Sequence, residues 1–128
     1  VSLTLHHSNT TGPANFSGAV VDQLNEAYSM FPVDHRTHME TSFGHLMGYS
    51  ANYYTYQWSL AIAMDMKSAF TASPGGMHDK PTALRYRDKI LMPGGTKKAN
   101  ELVEDFLERP WNLQAYHDWL SEMPVPSA

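Results

Sequence analysis

The sequence predicts an all-α fold of about five helices, and three observations carry that prediction. Apolar residues recur at the spacing of one helix face in 19–28 and again in 97–108. A long stretch from about 50 to 70 is apolar around much of its circumference, with Gln57, Asp65 and Lys67 as interruptions. Two Pro-Gly-Gly runs, at Pro74 and Pro93, punctuate the second half and are followed by residues that do not match, so they mark turns and not a repeat.

Each element has its own warrant. Residues 1–5 alternate apolar and polar side chains and read as a short strand or as the tail of a helix. Segment 6–18 is rich in Asn, Thr, Ser, Gly and Pro and reads as a loop. From Ala19, the residues Val20, Val21, Leu24, Ala27 and Tyr28 share a helix face, and Pro32 marks the exit. Segment 33–49 has no clear period and reads as an extended connection ending in a glycine loop. Ser50 or Asn52 is then the expected cap of the long helix that runs to about Phe70. Asp79 and Pro81 signal a further helix start, with helix over 82–91. Thr96 is the candidate cap of the helix over 97–108, where Ala99, Leu102, Val103, Phe106 and Leu107 give the cleanest amphipathic pattern in the chain. Arg109-Pro110 stops it, and Asn112 is placed to cap a last helix over 113–120. The tail 124–128 is expected to fray.

Composition bounds the function. The 128 residues are 42% hydrophobic and 17% charged, which is globular and not disordered material. A formal net charge of −4 and the absence of a Lys/Arg block argue against nucleic acid as a partner. The apolar stretch 53–70 is too interrupted to read as a membrane span. There is no cysteine, hence no disulfide framework and no thiolate metal site; this fits a reducing compartment, and the cytoplasm is the expected location. Residues 1–5 lack the length and basic flank of a signal sequence, so the glycosylation sequons at Asn9 and Asn15 are discounted.

One segment concentrates chemistry. From Phe43 to Trp58 the chain reads Phe-Gly-His-Leu-Met-Gly-Tyr-Ser-Ala-Asn-Tyr-Tyr-Thr-Tyr-Gln-Trp, with His45, Tyr49, Tyr53, Tyr54 and Tyr56 around a glycine loop and a helix start. Phenols and imidazole are neutral or switchable donors, suited to peptide carbonyls and to an oxyanion. Tyr53 and Tyr56 are three apart and share a helix face, and a glycine such as Gly48 lets a ligand approach the backbone. The plainer alternative is that the aromatics are core and the histidine structural. His35 and His38, with Asp34 and Glu40 beside them, have metal-ligand spacing, with a solvated loop as the alternative. Adjacent His6 and His7 diverge in regular structure and make a poorer pair. No His-Glu-x-x-His and no Gly-x-Ser-x-Gly occurs, so no metal ligand is assigned.

The Phe43-Gly44-His45-Leu46 run, Gly48-Tyr49 and Tyr53-Tyr54-x-Tyr56-x-Trp58 resemble the glycine-tyrosine segment of the thimet oligopeptidase/oligopeptidase F family of zinc metallo-oligopeptidases. Arg85-Tyr86-Arg87, Ile90-Leu91-x-Pro93-Gly94-Gly95-Thr96, Phe106-Leu107-x-Arg109 and a closing aromatic helix agree in order and spacing. The resemblance implies a large helical, bowl-shaped peptidase lobe with one zinc, whose ligands lie upstream on a His-Glu-x-x-His helix and a later Glu. It makes the chain, residues 1–128, a C-terminal fragment of the catalytic domain without the zinc motif. The parent then needs zinc and hydrolyses short peptides, while this chain alone holds no cofactor and is inactive. Carried over residue by residue, Tyr56 is the oxyanion-stabilising phenol and His45 a second donor, while Gly48, Tyr49 and Tyr53 bind the substrate backbone. Two departures stand out: one glycine, not two, precedes Tyr49, and Glu108 stands where the family has glycine. A non-enzymatic helical module that binds peptides or acts as a scaffold is the alternative reading. The exposed apolar helix 50–70 further predicts self-association through surface that other parts of the parent would cover.

Overall fold

A computed structural model describes residues 1–7 and 12–122, and every described element is helical. The sequon at Asn9 and the tail 124–128 lie outside the described residues. Among the described residues eight α-helical segments occur, more than the five expected because short turns of helix form where no periodicity is visible. None is long and apolar enough to cross a membrane.

The described residues form two compact units, one up to Tyr56 and the other from Gln57 on. In the first, α1 (Ser2–Leu5) settles residues 1–5 as helix. Helix α2 (Phe16–Tyr28) starts three residues before Ala19, because Asn15 and the preceding Pro13 turn already direct the chain. Its predicted face is only partly covered: Val21 is buried, but Tyr28 is 83% exposed. The supposed connection 33–49 holds two helical turns, α3 (Met39–Ser42) and α4 (His45–Tyr49). They are too short to show a period, which is why the sequence pattern passes over them. Leu46 of α4 is buried and completes the small apolar centre of this unit.

A 3-10 turn, Ser50–Tyr54, leads into α5 (Thr55–Thr71). The expected caps Ser50 and Asn52 therefore lie inside this turn and not at the α-helix start. Ser50 takes φ 49° and ψ −128°, outside the comfortable regions for a residue with a Cβ and worth about 1–3 kcal/mol of strain.

The second unit is organised by three aromatic rings from three helices. Helix α6 (Lys80–Tyr86) begins as expected, with Asp79 accepting from Thr82 N at 2.9 Å and from Thr82 Oγ1 at 2.8 Å. The predicted helix 82–91 then changes pitch to a π-turn at Arg87–Leu91. Helix α7 (Ala99–Leu107) is capped by Lys98 without a side-chain bond; Thr96, the candidate cap, ends a 3-10 turn at Gly94–Thr96 instead. Phe106 of α7 is fully buried, edge-on to Tyr86 at 5.5 Å and against Phe70 at 5.8 Å between ring centres. The final helix α8 (Gln114–Glu122) is entered as predicted through Asn112, whose Oδ1 accepts from Gln114 N at 2.8 Å.

Candidate active site

The residues singled out in the sequence gather in the first unit. Helix α4 carries His45, Gly48 and Tyr49; the following 3-10 turn carries Tyr53; the first turn of α5 carries Tyr56. The aromatic rings form one contiguous surface. His45 lies 5.6 Å from Tyr49 and 5.3 Å from Tyr53, Tyr53 lies 5.6 Å from Tyr49 and 5.3 Å from Tyr56, and Phe43 supports Tyr53 edge-on at 5.0 Å. Tyr54 is left outside these contacts and is half exposed.

The phenol oxygens of Tyr49 and Tyr56 are 2.8 Å apart and share a hydrogen bond. That bond pushes the Tyr56 hydroxyl above the usual phenol range, with burial and the neighbouring phenols acting in the same direction. A neutral phenol is the state that donates a hydrogen bond, and this shift favours it. Both groups remain reachable, Tyr49 39% and Tyr56 54% exposed. A Cβ built on Gly48 would meet nothing within 4 Å, so the space over its backbone is open. The arrangement offers a row of hydroxyl and imidazole groups and flat ring faces beside an uncovered stretch of backbone.

Concavity and chemistry do not coincide. A cavity of about 230 Å³ lined by Met64, Lys67, Asp118 and Trp119, and one of about 580 Å³ lined by Leu3, Leu24 and Tyr28, are each built without any residue of the aromatic row. Convergent donors are the better guide here, because open ground becomes a pocket only where a second surface faces it.

The histidine pair does not assemble. His35 Nδ1 meets Asp22 Oδ2 at 3.0 Å and its Nε2 lies 3.5 Å from Glu26, whereas His38 faces Glu40 at 3.5 Å. Asp22 raises the His35 imidazole above its ordinary range, through the hydrogen bond first and its charge second. Among the described residues no three His, Asp or Glu side chains are placed to hold a metal ion together.

Two contributors were not visible in the sequence. Phe43 stands out in the sequence only as part of a run, yet it buttresses Tyr53. Ser50 sets the direction of the chain between Tyr49 and Tyr53 through a backbone conformation that serine does not advertise.

The all-helical chain thus presents a histidine-tyrosine row of hydrogen-bond donors at a helix start. The chain belongs to peptidase family M3, whose profile matches residues 1–122. It is 28% identical over 119 residues to the mitochondrial intermediate peptidase of Pleurotus djamor, covering 92% of this chain and 15% of that protein. It is 36% identical over 89 residues to the mitochondrial intermediate peptidase of Schizophyllum commune, covering 69% of this chain and 11% of that protein. With the thimet-like oligopeptidase of Dictyostelium discoideum it shares 30% identity over 115 residues, 88% of this chain and 16% of the relative. The chain thus spans about a sixth of the length of such relatives or less. The metallo-oligopeptidase resemblance drawn from the motifs is upheld.

Proposed function

We propose that this chain is the substrate-binding and oxyanion-stabilising part of a zinc metallo-oligopeptidase that hydrolyses short peptides. The observation that carries the reading is the Tyr49–Tyr56 phenol pair, 2.8 Å apart and exposed beside His45. Tyr56 and His45 donate hydrogen bonds to the oxygen of the peptide carbonyl as negative charge develops on it. Tyr49 and Tyr53 take the substrate backbone between their hydroxyls and ring faces, and Gly48 lets it lie close. Zinc is held by residues of the parent outside this chain, since those described here do not form its cage.

The short share of each relative that the chain covers supports a fragment of a catalytic domain over a free-standing module. So does the large apolar surface left open on a chain this size, with Met47 at 87% and Phe31 at 75% exposed. Relatives are named mitochondrial intermediate peptidases, and a cysteine-free chain suits the mitochondrial matrix as well as the cytoplasm; we place the parent in one of these reducing compartments.

The test is Tyr56→Phe in the intact peptidase that carries this chain. Loss of one oxyanion donor lowers kcat by about two to three orders of magnitude, with KM little changed. Turnover within a few-fold of the unaltered enzyme removes Tyr56 from this role.

A further inference from the structure

Tyr49 and Tyr56 are seven residues apart. In an uninterrupted α-helix they would be separated by about 10.5 Å along the axis, too far for their hydroxyls to meet at hydrogen-bond distance. They meet because the chain breaks between them. The break is Ser50, at φ 49° and ψ −128°, which ends α4 and starts the 3-10 turn Ser50–Tyr54.

Serine has no intrinsic preference for that conformation; glycine would be the ordinary choice. Something outside the turn must hold it. The hydroxyl of Ser2, buried on α1, donates to the Ser50 carbonyl at 2.5 Å across 48 residues of sequence. Helix α1 packs directly against the turn and Ser2 is buried while Ser50 is exposed, so the bond is partly shielded from water. The His45–Tyr49 ring contact would also form in a plain helix and does not select the turn, whereas the His45–Tyr53 contact spans eight residues and, like the phenol pair, depends on it.

We infer that Ser2 is a positioning residue for the Tyr49–Tyr56 phenol pair: by holding the Ser50 carbonyl it locks the left-handed turn that folds Tyr49 back onto Tyr56. Its consequence for catalysis rests on the function proposed above, but the positioning itself does not. The Ser2 hydroxyl donates to the Ser50 carbonyl and to neither phenol, so its substitution acts through Ser50.

The experiment compares Ser2→Ala, Ser2→Thr and the double variant Ser2→Ala/Ser50→Gly in the intact peptidase, by crystal structure and by steady-state kinetics. In Ser2→Ala the two phenol oxygens move apart beyond about 3.5 Å, and kcat falls about tenfold, the scale of a small misplacement of a reacting group. Ser2→Thr keeps the hydroxyl and keeps both values. Ser50→Gly in the Ser2→Ala background restores them, because glycine holds the positive φ without help; a general loosening of α1 would not be repaired that way. A Ser2→Ala structure with the phenols still hydrogen-bonded overturns the inference, as does failure of the glycine to restore the pair. If the phenols separate while kcat stays unchanged, the positioning stands, and together with an active Tyr56→Phe it is the proposed catalytic role that falls.

Discussion

The guanidinium of Arg109 brackets the carboxylate of Asp65, Nη1 donating to Oδ2 at 3.0 Å and Nη2 to Oδ1 at 2.5 Å. The Asn112 N–H donates to the same carboxylate at 2.8 Å, so one buried acid in α5 fixes the chain between α7 and α8. Asp65 is 2% exposed and Arg109 41%. Removing one partner of a buried pair costs about 3–5 kcal/mol, and the half-exposed guanidinium brings this towards the lower end. Arg109→Ala should therefore lose about 2–3 kcal/mol in denaturant unfolding, and Arg109→Lys most of that, since an ammonium cannot bracket both oxygens. A loss under about 0.5 kcal/mol in both would show that the pair contributes nothing net.

The same pair sets an acid limit. Burial pushes the Asp65 carboxyl up, but the Arg109 hydrogen bonds, the Asn112 N–H and the Arg109 charge outweigh it and leave the group below its usual value of 3.8. A carboxylate lowered in the folded state contributes stability that is whole above its unfolded value and is lost as pH falls through the folded one. Stability should fall as pH drops below about 4, and Asp65→Asn should flatten that fall relative to the unaltered chain. Equal slopes in the two proteins would remove Asp65 from the acid transition.

Asp65 also shows where sequence reading stops. In the sequence it only interrupts an apolar helix; its partner is 44 residues away, and no spacing rule connects the two. Local features were legible: Asp79 as a cap, Asn112 before the last helix, and the Val103/Phe106 face of α7, each set by neighbours within a turn. The membership of the aromatic row was legible too, because motif order named His45, Tyr49, Tyr53 and Tyr56. Its geometry was not, since it depends on the Ser50 turn and on a hydroxyl supplied from α1. The helical turns α3 and α4 escaped because four or five residues cannot display a period of 3.6.

Gly48 separates binding from folding. It lies in α4, and a Cβ there has open space. Gly48→Ala should stabilise the fold by about 0.5–1 kcal/mol, the usual helix preference of alanine. If substrate backbone lies against Gly48, the same change raises KM for short peptides by about tenfold, as expected when binding common to ground and transition states is lost. Higher stability with unaltered KM would leave Gly48 without a binding role.

Glu108 occupies the left-handed position that ends α7, at φ 58°, where the resembling family has glycine. Glu108→Gly removes the Cβ penalty, a gain of about 0.5–1 kcal/mol. It also removes the 3.2 Å ion pair to Arg85, but Glu108 is 71% exposed and such a pair is worth less than about 0.5 kcal/mol. Arg85 keeps its place over the Phe106 ring, 5.3 Å from the centroid. The backbone term wins, and the melting temperature should rise by about 2–3 °C. A fall would mean that Glu108 restrains Arg85 more strongly than its exposure implies.

The last prediction concerns the chain in solution. Only Val21, Leu46, Ala61, Val103 and Phe106 are buried apolar residues among those described, few for a chain 42% hydrophobic. In the second unit Trp58 is 50% exposed although it meets Trp111 edge-on at 5.3 Å, and Met92 is 72% exposed. A buried tryptophan side chain removes roughly 150–250 Å² from water, at about 25 cal/mol per Å². Two or three such residues covered together therefore offset a sizeable part of the entropy lost on association. The expected outcome is a dimer or larger assembly of the isolated chain at micromolar concentration, with Trp58 and nearby methionines close to the contact. On the function proposed above, other parts of the parent's catalytic domain would take that place. Light scattering reads the mass directly, and Trp58→Lys should shift the population towards the 14.4 kDa monomer by placing a charge in the contact. A stable monomer in the unaltered chain would show that this apolar surface needs no cover, and would favour a free-standing helical module over a fragment of the peptidase.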